Sequence, residues 1–334
     1  MISCLRRAGV EVAEHHVPVW EGREHKWSAG LGAAARLAAA EVRLLRPPRQ
    51  DFDALIVGYP GHLDLLAARR AARRRPVVFN PLVSIAETLV ADRARFRNGS
   101  WPARLLAAAD RRAFQAADLV VADTEAHAEH LAHTTGARRV EVCFVGAEER
   151  IFRPGWQPSD GFCALFVGKL IPLHGLDTIL AAARLVPDLR IRIVGSGQLE
   201  RLLETRPPNV EHVPWVEYER LPDELHRASC ALGIFGTSEK AVRVIPNKAF
   251  QALACGAPLV TADTPAAREL LTDGESALLV QPGDPETLAA ALRRLAEEQG
   301  LAERLSQQGL AAYEARASED VLGARWRDLL ESLM

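Results

Sequence analysis

An α/β fold in two lobes is predicted for this 334-residue chain by three features of its sequence. Short runs rich in β-branched residues alternate with stretches of helical periodicity, the pattern of parallel sheets wrapped by helices. The alternation occurs twice, and the Pro- and Gly-rich stretch Ile151-Phe152-Arg153-Pro154-Gly155-Trp156-Gln157-Pro158 separates the two series. A composition of 48% hydrophobic and 25% charged residues suits a globular chain long enough for two cores.

In the first series, strands are expected near 53–57, 77–79, 119–122 and 140–145, with helices around 30–46, 62–74, 102–117 and 125–136. The second reads strand 162–167, helix 175–185, strand 189–194, helix 198–204, strand 209–213, helix 221–228, strand 230–235, helix 246–254 and strand 258–262. Asp284-Pro285-Glu286 supplies an N-cap and then a proline at the first helical position, starting a helix over 285–298. Another is expected at 302–316. Ser318-Glu319-Asp320 opens a last helix over 318–333 with Val321, Leu322, Trp326, Leu329 and Leu330 on one face. The domains expected are 1–152 and 159–316, with 317–334 as a closing helix.

Five cysteines (Cys4, Cys143, Cys163, Cys230, Cys255) are odd in number and widely spaced, so they offer neither a disulfide framework nor a metal-ligand pattern. No apolar run approaches the roughly 20 residues a membrane helix needs, and the N-terminus lacks a signal-peptide pattern. A cytoplasmic protein is expected. The net charge of −2 conceals an asymmetry: residues 1–156 carry 23 Lys+Arg against 18 Asp+Glu, leaving 18 against 25 in the remainder. Phe96, Trp101, Leu105 and Leu106 interleave with Arg93, Arg95, Arg97 and Arg104. The pattern suits an amphipathic helix packed on the first sheet, which is the expectation; weak peripheral contact with the inner face of a membrane is the other reading. No nucleic-acid partner is expected.

Ligands of open parallel sheets bind beyond the carboxyl ends of the strands. In the second lobe the first strand leads into Gly168-Lys169-Leu170-Ile171-Pro172-Leu173-His174-Gly175, which reads as a phosphate-facing loop backed by a helix N-terminus. The next strands end at Gly195-Ser196-Gly197 and Pro214-Trp215-Val216, where a flat base could be walled. The fourth runs into Phe235-Gly236-Thr237-Ser238-Glu239-Lys240, then Arg243, and Ile245-Pro246-Asn247-Lys248 opens a helix whose N-terminus adds to the Lys248 charge. Four successive strand ends thus point to a bound diphosphate. Competing motifs fail on residues. Gly195-Ser196-Gly197 continues into Gln198-Leu199-Glu200, so the third glycine of a dinucleotide fingerprint is absent, and no P-loop occurs. His127 and His130 beside Glu125 and Glu129 read as a solvated helix face rather than a metal site.

These residues resemble the retaining GT-B glycosyltransferases, specifically the large family 4 group (glycosyl transferases group 1), over nearly the whole chain. Phe166-Val167-Gly168-Lys169-Leu170 with His174-Gly175-Leu176-Asp177 is similar to the family's strand-plus-loop pattern, in which an arginine and a lysine contact the donor diphosphate; Lys169 and His174 stand in those places. The run from Ile245 through Lys248 and Gln251 to Val260 resembles the donor-binding helix and the strand after it. The family usually has a glutamate at the Gln251 position, binding the ribose hydroxyls, and another eight residues earlier, where this chain has Arg243. Gln251 can still accept from a ribose hydroxyl, whereas Arg243 cannot replace a carboxylate, and Glu239 is the candidate substitute. In the first lobe Gly58-Tyr59-Pro60-Gly61-His62 and Asn80-Pro81-Leu82-Val83-Ser84 lie at strand ends, and many members have a histidine where this chain has Asn80. His62 and Asn80 are the acceptor-side candidates. Met1 to Val10 already reads as the helix that follows the family's opening strand, so that first strand is expected to be missing.

The resemblance implies two Rossmann-like domains facing a cleft and a metal-independent, retaining transfer of a sugar from a nucleotide-diphosphate donor to the hydroxyl of a glycan, lipid or small molecule. It calls for no cofactor. Lys169, Lys248 and Glu239 are the catalytic candidates. The donor-binding set is Gly168, His174, Gly195, Gly197, Trp215, Val216, Arg243, Asn247 and Gln251. The alternatives are a nucleotide-sugar-binding protein without transfer activity and another GT-B enzyme such as a nucleotide-sugar epimerase or sugar phosphorylase.

Overall fold

The structure, a computed structural model, describes residues 1–17, 31–45, 51–92 and 96–334. Residues 30 and 46 of one expected helix, and Arg93 and Arg95, lie outside the described residues. The chain divides into a larger unit, Met1–Ala8, Thr124–His127 and Phe144–Arg325, and a smaller one, Gly9–Asp123, Ala128–Cys143 and Trp326–Met334.

After a short opening helix, α1 (Ile2–Arg7), the chain builds α2 (Leu31–Leu44), β1 (Leu55–Gly58), α3 (Asp64–Ala72), β2 (Val77–Asn80), α4 (Trp101–Ala116), β3 (Leu119–Ala122), α5 (Glu125–Thr135) and β4 (Val140–Val142). The strands form a parallel sheet in the order β1-β2-β3-β4. β2 and β3 are apolar on both faces because helices cover both sides of a parallel sheet. Val57, Leu65, Phe79, Phe114, Val120 and Leu131 centre the core.

Trp101 and Leu105, expected against this sheet, are 77% and 62% exposed. The inward face of α4 is instead Ala103, Asp110, Ala113 and Phe114. His127, expected on a solvated face, is buried, with its backbone N–H donating to Thr124 Oγ1 at 3.1 Å. A π-helical turn at Glu87–Asp92 was not expected from the sequence.

The second series runs β5 (Cys163–Val167), α6 (Leu176–Leu185), β6 (Arg190–Val194), β7 (Val210–Val213), α7 (Leu221–Arg227), β8 (Cys230–Leu232), α8 (Asn247–Ala254), β9 (Leu259–Ala262), α9 (Pro265–Arg268), β10 (Leu278–Val280), α10 (Pro285–Glu297), α11 (Leu301–Arg316) and α12 (Glu319–Glu331). Its parallel sheet has the order β10-β9-β8-β5-β6-β7, reversing between β5 and β8. The expected helix 198–204 is a 3₁₀ segment, Glu200–Thr205. The strand expected to reach 235 is regular only to Leu232, although Gly233 N–H still donates to the Val260 carbonyl and the Ile234 carbonyl still accepts from Ala262 N–H, while Thr261 Oγ1 accepts from the Ile234 N–H. As expected, Asp284 caps α10 by accepting from the Glu286 and Thr287 N–H groups at 2.9 and 3.1 Å.

On α12, Leu322, Trp326, Leu329 and Leu330 are buried, while Val321, expected on the same face, is exposed. α1 lies so close to α12 that a Cβ on Gly323 would sit 2.3 Å from the Cys4 carbonyl oxygen. Arg7 ties the two together, reaching Glu149 at 2.7 Å, Asp320 at 2.8 Å and Glu319 at 3.1 Å. All five cysteines are buried and free. Among the described residues no helix is long and apolar enough to cross a membrane.

Candidate functional site

The order of the larger sheet reverses between β5 and β8, and in open parallel sheets ligands bind beyond the carboxyl ends of the strands at such a switch point. The loops that follow these strands are pressed together backbone to backbone. A Cβ on Gly175 would lie 2.6 Å from the Phe235 carbonyl carbon, and one on Gly236 would lie 2.4 Å from the Leu173 oxygen. The loop after β6 closes on the same place. Gly195, at φ +141°, has the Gly168 oxygen 1.9 Å from where its Cβ would stand, and Leu170 N–H donates to the Ser196 carbonyl at 3.0 Å. Gly195 and Gly197 therefore make room for the neighbouring loop, a local reason for glycine that spacing alone does not reveal.

Lys248 reaches this switch point from the first turn of α8. Its stem is half-buried, but its Nζ is shielded from solvent and has no hydrogen-bond partner among the described residues. The amine lies 3.5 Å from the centroid of the Phe166 ring and 2.9 Å from the place of a Gly168 Cβ. Burial pushes it well below the usual lysine range. A desolvated amine without a partner is destabilising in itself, and an anion beside it would remove that cost. The first N–H groups of α8 have no partner within the helix, so they add a second set of donors.

His174 also lies here, its ring edge against Phe166 and its Nδ1 bonded to the Lys169 carbonyl. Burial, and then the nearby Lys248, push it down to about 3. It is therefore neutral near pH 7 and, unlike the cationic residue that the resemblance places at that position, brings no charge to a diphosphate. Since a carbonyl only accepts, the proton is on Nδ1 and Nε2 presents a lone pair. Lys169 is exposed at the loop's start.

The structure thus gathers Gly168, Lys169, His174, Gly195, Gly197 and Lys248. Asn247 is exposed at the start of α8 and Gln251 lies one turn along. Burial and the Glu148 charge push the Tyr218 phenol up, and a hydrogen bond with Gln251 works against them. Val216 packs on the core, whereas Trp215 is 71% exposed. Glu239 projects into solvent and pairs with Arg243 at 3.7 Å rather than joining Lys248. Phe166, the ring beneath Lys248, was missed from sequence; as an apolar residue inside a strand run it carried no signal of a site.

In the smaller unit, His62 is packed edge-on against Phe79 and Phe114, donates from Nδ1 to the Pro60 carbonyl at 2.7 Å, and has Nε2 3.6 Å from Asp110 Oδ1. Asp110 also accepts from Ser84 Oγ and the Ala86 N–H. Asn80 donates to the Val121 carbonyl at 3.1 Å. Both acceptor-side candidates are thus held by structural partners. Asp110 was legible only as a carboxylate at an inward position of α4, two turns after Ala103 and one turn before Phe114.

Comparison with known proteins agrees with the geometry. Residues 161–298 match the family described as "Glycosyl transferases group 1", and residues 3–148 match a "Glycosyl transferase 4-like domain". The D-inositol 3-phosphate glycosyltransferase of Kribbella flavida is 30% identical over 344 residues, covering 92% of this chain and 76% of that protein. The protein of the same name from Acidothermus cellulolyticus is 32% identical over 289 residues, 75% of this chain and 62% of its own. The chain spans only 50% of a third such relative, from Nocardioides. Sucrose-phosphate synthase from Thermosynechococcus elongatus shares the fold with a TM-score of 0.74 at 17% identity, over 90% of this chain and 78% of that one. Anabaena Alr3699/HepE, solved with UDP and glucose, gives 0.69 at 19% identity, over 92% and 84%. These structures are GT-B glycosyltransferases, and the two parallel-sheet units described above have that architecture.

Proposed function

This chain belongs to the glycosyl transferases group 1 family, and on that premise we propose that it moves a sugar from a nucleotide-diphosphate donor to an acceptor hydroxyl with retention of anomeric configuration. The observation that carries the reading is Lys248: a desolvated, unpartnered amine at a helix N-terminus, beside a glycine loop at the switch point of a parallel sheet. Lys248 and the α8 N–H groups would hold the diphosphate, with Lys169 at the solvent side. As the glycosidic bond breaks, negative charge grows on the leaving diphosphate, and these donors would stabilise it there. No metal is invoked for that step. Gln251 would take a ribose hydroxyl, and the segment Trp215-Val216 would border the base. The acceptor proposed is a polyol or sugar hydroxyl, in line with the names of the curated relatives.

One observation favours a second reading, donor binding without transfer. Arg243 stands where the family carries a carboxylate near the donor sugar, and Glu239, its candidate substitute, faces solvent. A thermal-shift panel of UDP, GDP, ADP and dTDP tests the binding claim, since ligand at a hundred times its dissociation constant adds about 2.7 kcal/mol. Proton NMR of the product formed with an added acceptor tests the rest: the donor's anomeric configuration retained supports the proposal, inversion removes it, and binding without product selects the second reading.

A further inference from the structure

The smaller unit carries a surface on which exposed apolar and basic side chains are ordered along two neighbouring helices. α3 and α4 pack side by side, and each runs back between two parallel strands, so their N-termini lie at the same end of the sheet. Each shows the same gradient on its outer face. Along α3 and its flanks, Leu63, Leu66, Arg70 and Arg73 follow at spacings of three and four, and all are exposed, Leu66 by 75%. Along α4, exposed Trp101, Arg104 and Leu105 are followed by exposed Arg111 and Arg112. Both stripes run from apolar at the N-terminal tip to arginine farther along. The acidic residues of the two helices do not oppose this, because Asp110 is buried and Asp64 half-buried.

We propose that this two-helix face docks on an anionic lipid bilayer, with Leu63, Leu66, Trp101 and Leu105 entering the headgroup boundary and the arginines meeting lipid phosphates. The dimensions agree. Trp101 and Arg111 are ten residues apart, about 15 Å of helix, and apolar side chains at membrane surfaces bury about 5–10 Å deep. The charge is of one sign and complements anionic headgroups. A second copy of the chain would bring arginine against arginine. A nucleic acid would satisfy the arginines but leave four large apolar side chains in water.

Sedimentation of the full chain with phosphatidylcholine vesicles, alone or with about one-third phosphatidylglycerol, decides the matter. Binding should require the anionic lipid and fall as salt rises. Arg104→Gln and Arg111→Gln should each weaken the partition about fivefold. Trp101→Ser with Leu105→Ser should abolish binding while leaving the melting temperature unchanged, since both side chains are exposed. No sedimentation at low salt, or binding that the double variant retains, overturns the proposal. So does a dimer in light scattering that the double variant dissociates, or capture of an RNA duplex that these substitutions abolish.

Discussion

Lys248→Met keeps the length of the side chain and removes its amine, and the account predicts effects of opposite sign with and without ligand. Without ligand, the Nζ is out of water and unpartnered, which costs about 1–3 kcal/mol. Its attraction to the Phe166 ring, about 0.5–2 kcal/mol for a charged amine, offsets this only while the amine stays charged, and burial favours the neutral form. The methionine thioether on the same ring restores about 0.3–1.5 kcal/mol. Removal of the amine therefore wins, and the variant should melt higher by about 2–4 °C for each kcal/mol gained. With a nucleoside diphosphate bound, the lost lysine–phosphate contact is worth about 1.5–3 kcal/mol, so affinity should fall about ten- to 150-fold. Scanning calorimetry in both states, with titration of the nucleotide, measures each arm. A variant that melts lower without ligand and binds nucleotide as tightly as the wild type would show that Lys248 is a packing residue and refute the reasoning.

Three further outcomes are expected. The folded protein keeps His174 neutral down to about 3, against 6.5 for a free imidazole, so the unfolded chain takes up a proton first as pH falls. The associated stability is complete above pH 6.5 and declines below it, by at most about 5 kcal/mol in total; urea unfolding from pH 7 to 4 should show a shallower decline for His174→Gln, and an unchanged slope counts against the assignment. Gly195→Ala must place a methyl against the Gly168 oxygen at a positive φ, costing about 2–4 kcal/mol and weakening nucleotide binding, as thermal melts and titrations would register. Arg7→Ala leaves Glu149, Glu319 and Asp320 clustered without their cation. Because Arg7 is partly exposed, the loss should be about 1–2 kcal/mol, and smaller in high salt.

Most elements were legible in the sequence where local chemistry and tertiary environment agree. The uninterrupted apolar run Leu119–Ala122 could only be a strand covered on both faces, and the capping signature at Asp284 fixed the start of α10. The sequence reading failed where long-range packing decided. On α4, apolar character pointed Trp101 and Leu105 inward, yet they share a face with Arg104, Arg111 and Arg112, and alanines with Phe114 make the contact with the sheet. His127 was read as solvated because its neighbours Glu125 and Glu129 are charged. In the candidate site, the glycines and Lys248 were found from spacing after strands. The neutrality of His174, the Phe166 ring and the outward turn of Glu239 depend on distances no spacing encodes.

Hydrogen exchange of the full chain, measured by mass spectrometry with each of UDP, GDP, ADP and dTDP, tests the central claim most directly. One of them should slow exchange in 168–175, 195–197 and 246–251, the segments that meet around Lys248, while β1 to β4 exchange as before. Protection confined to the β1–β4 sheet, or none with any nucleotide at saturating concentration, would contradict a nucleotide-diphosphate site at Lys248.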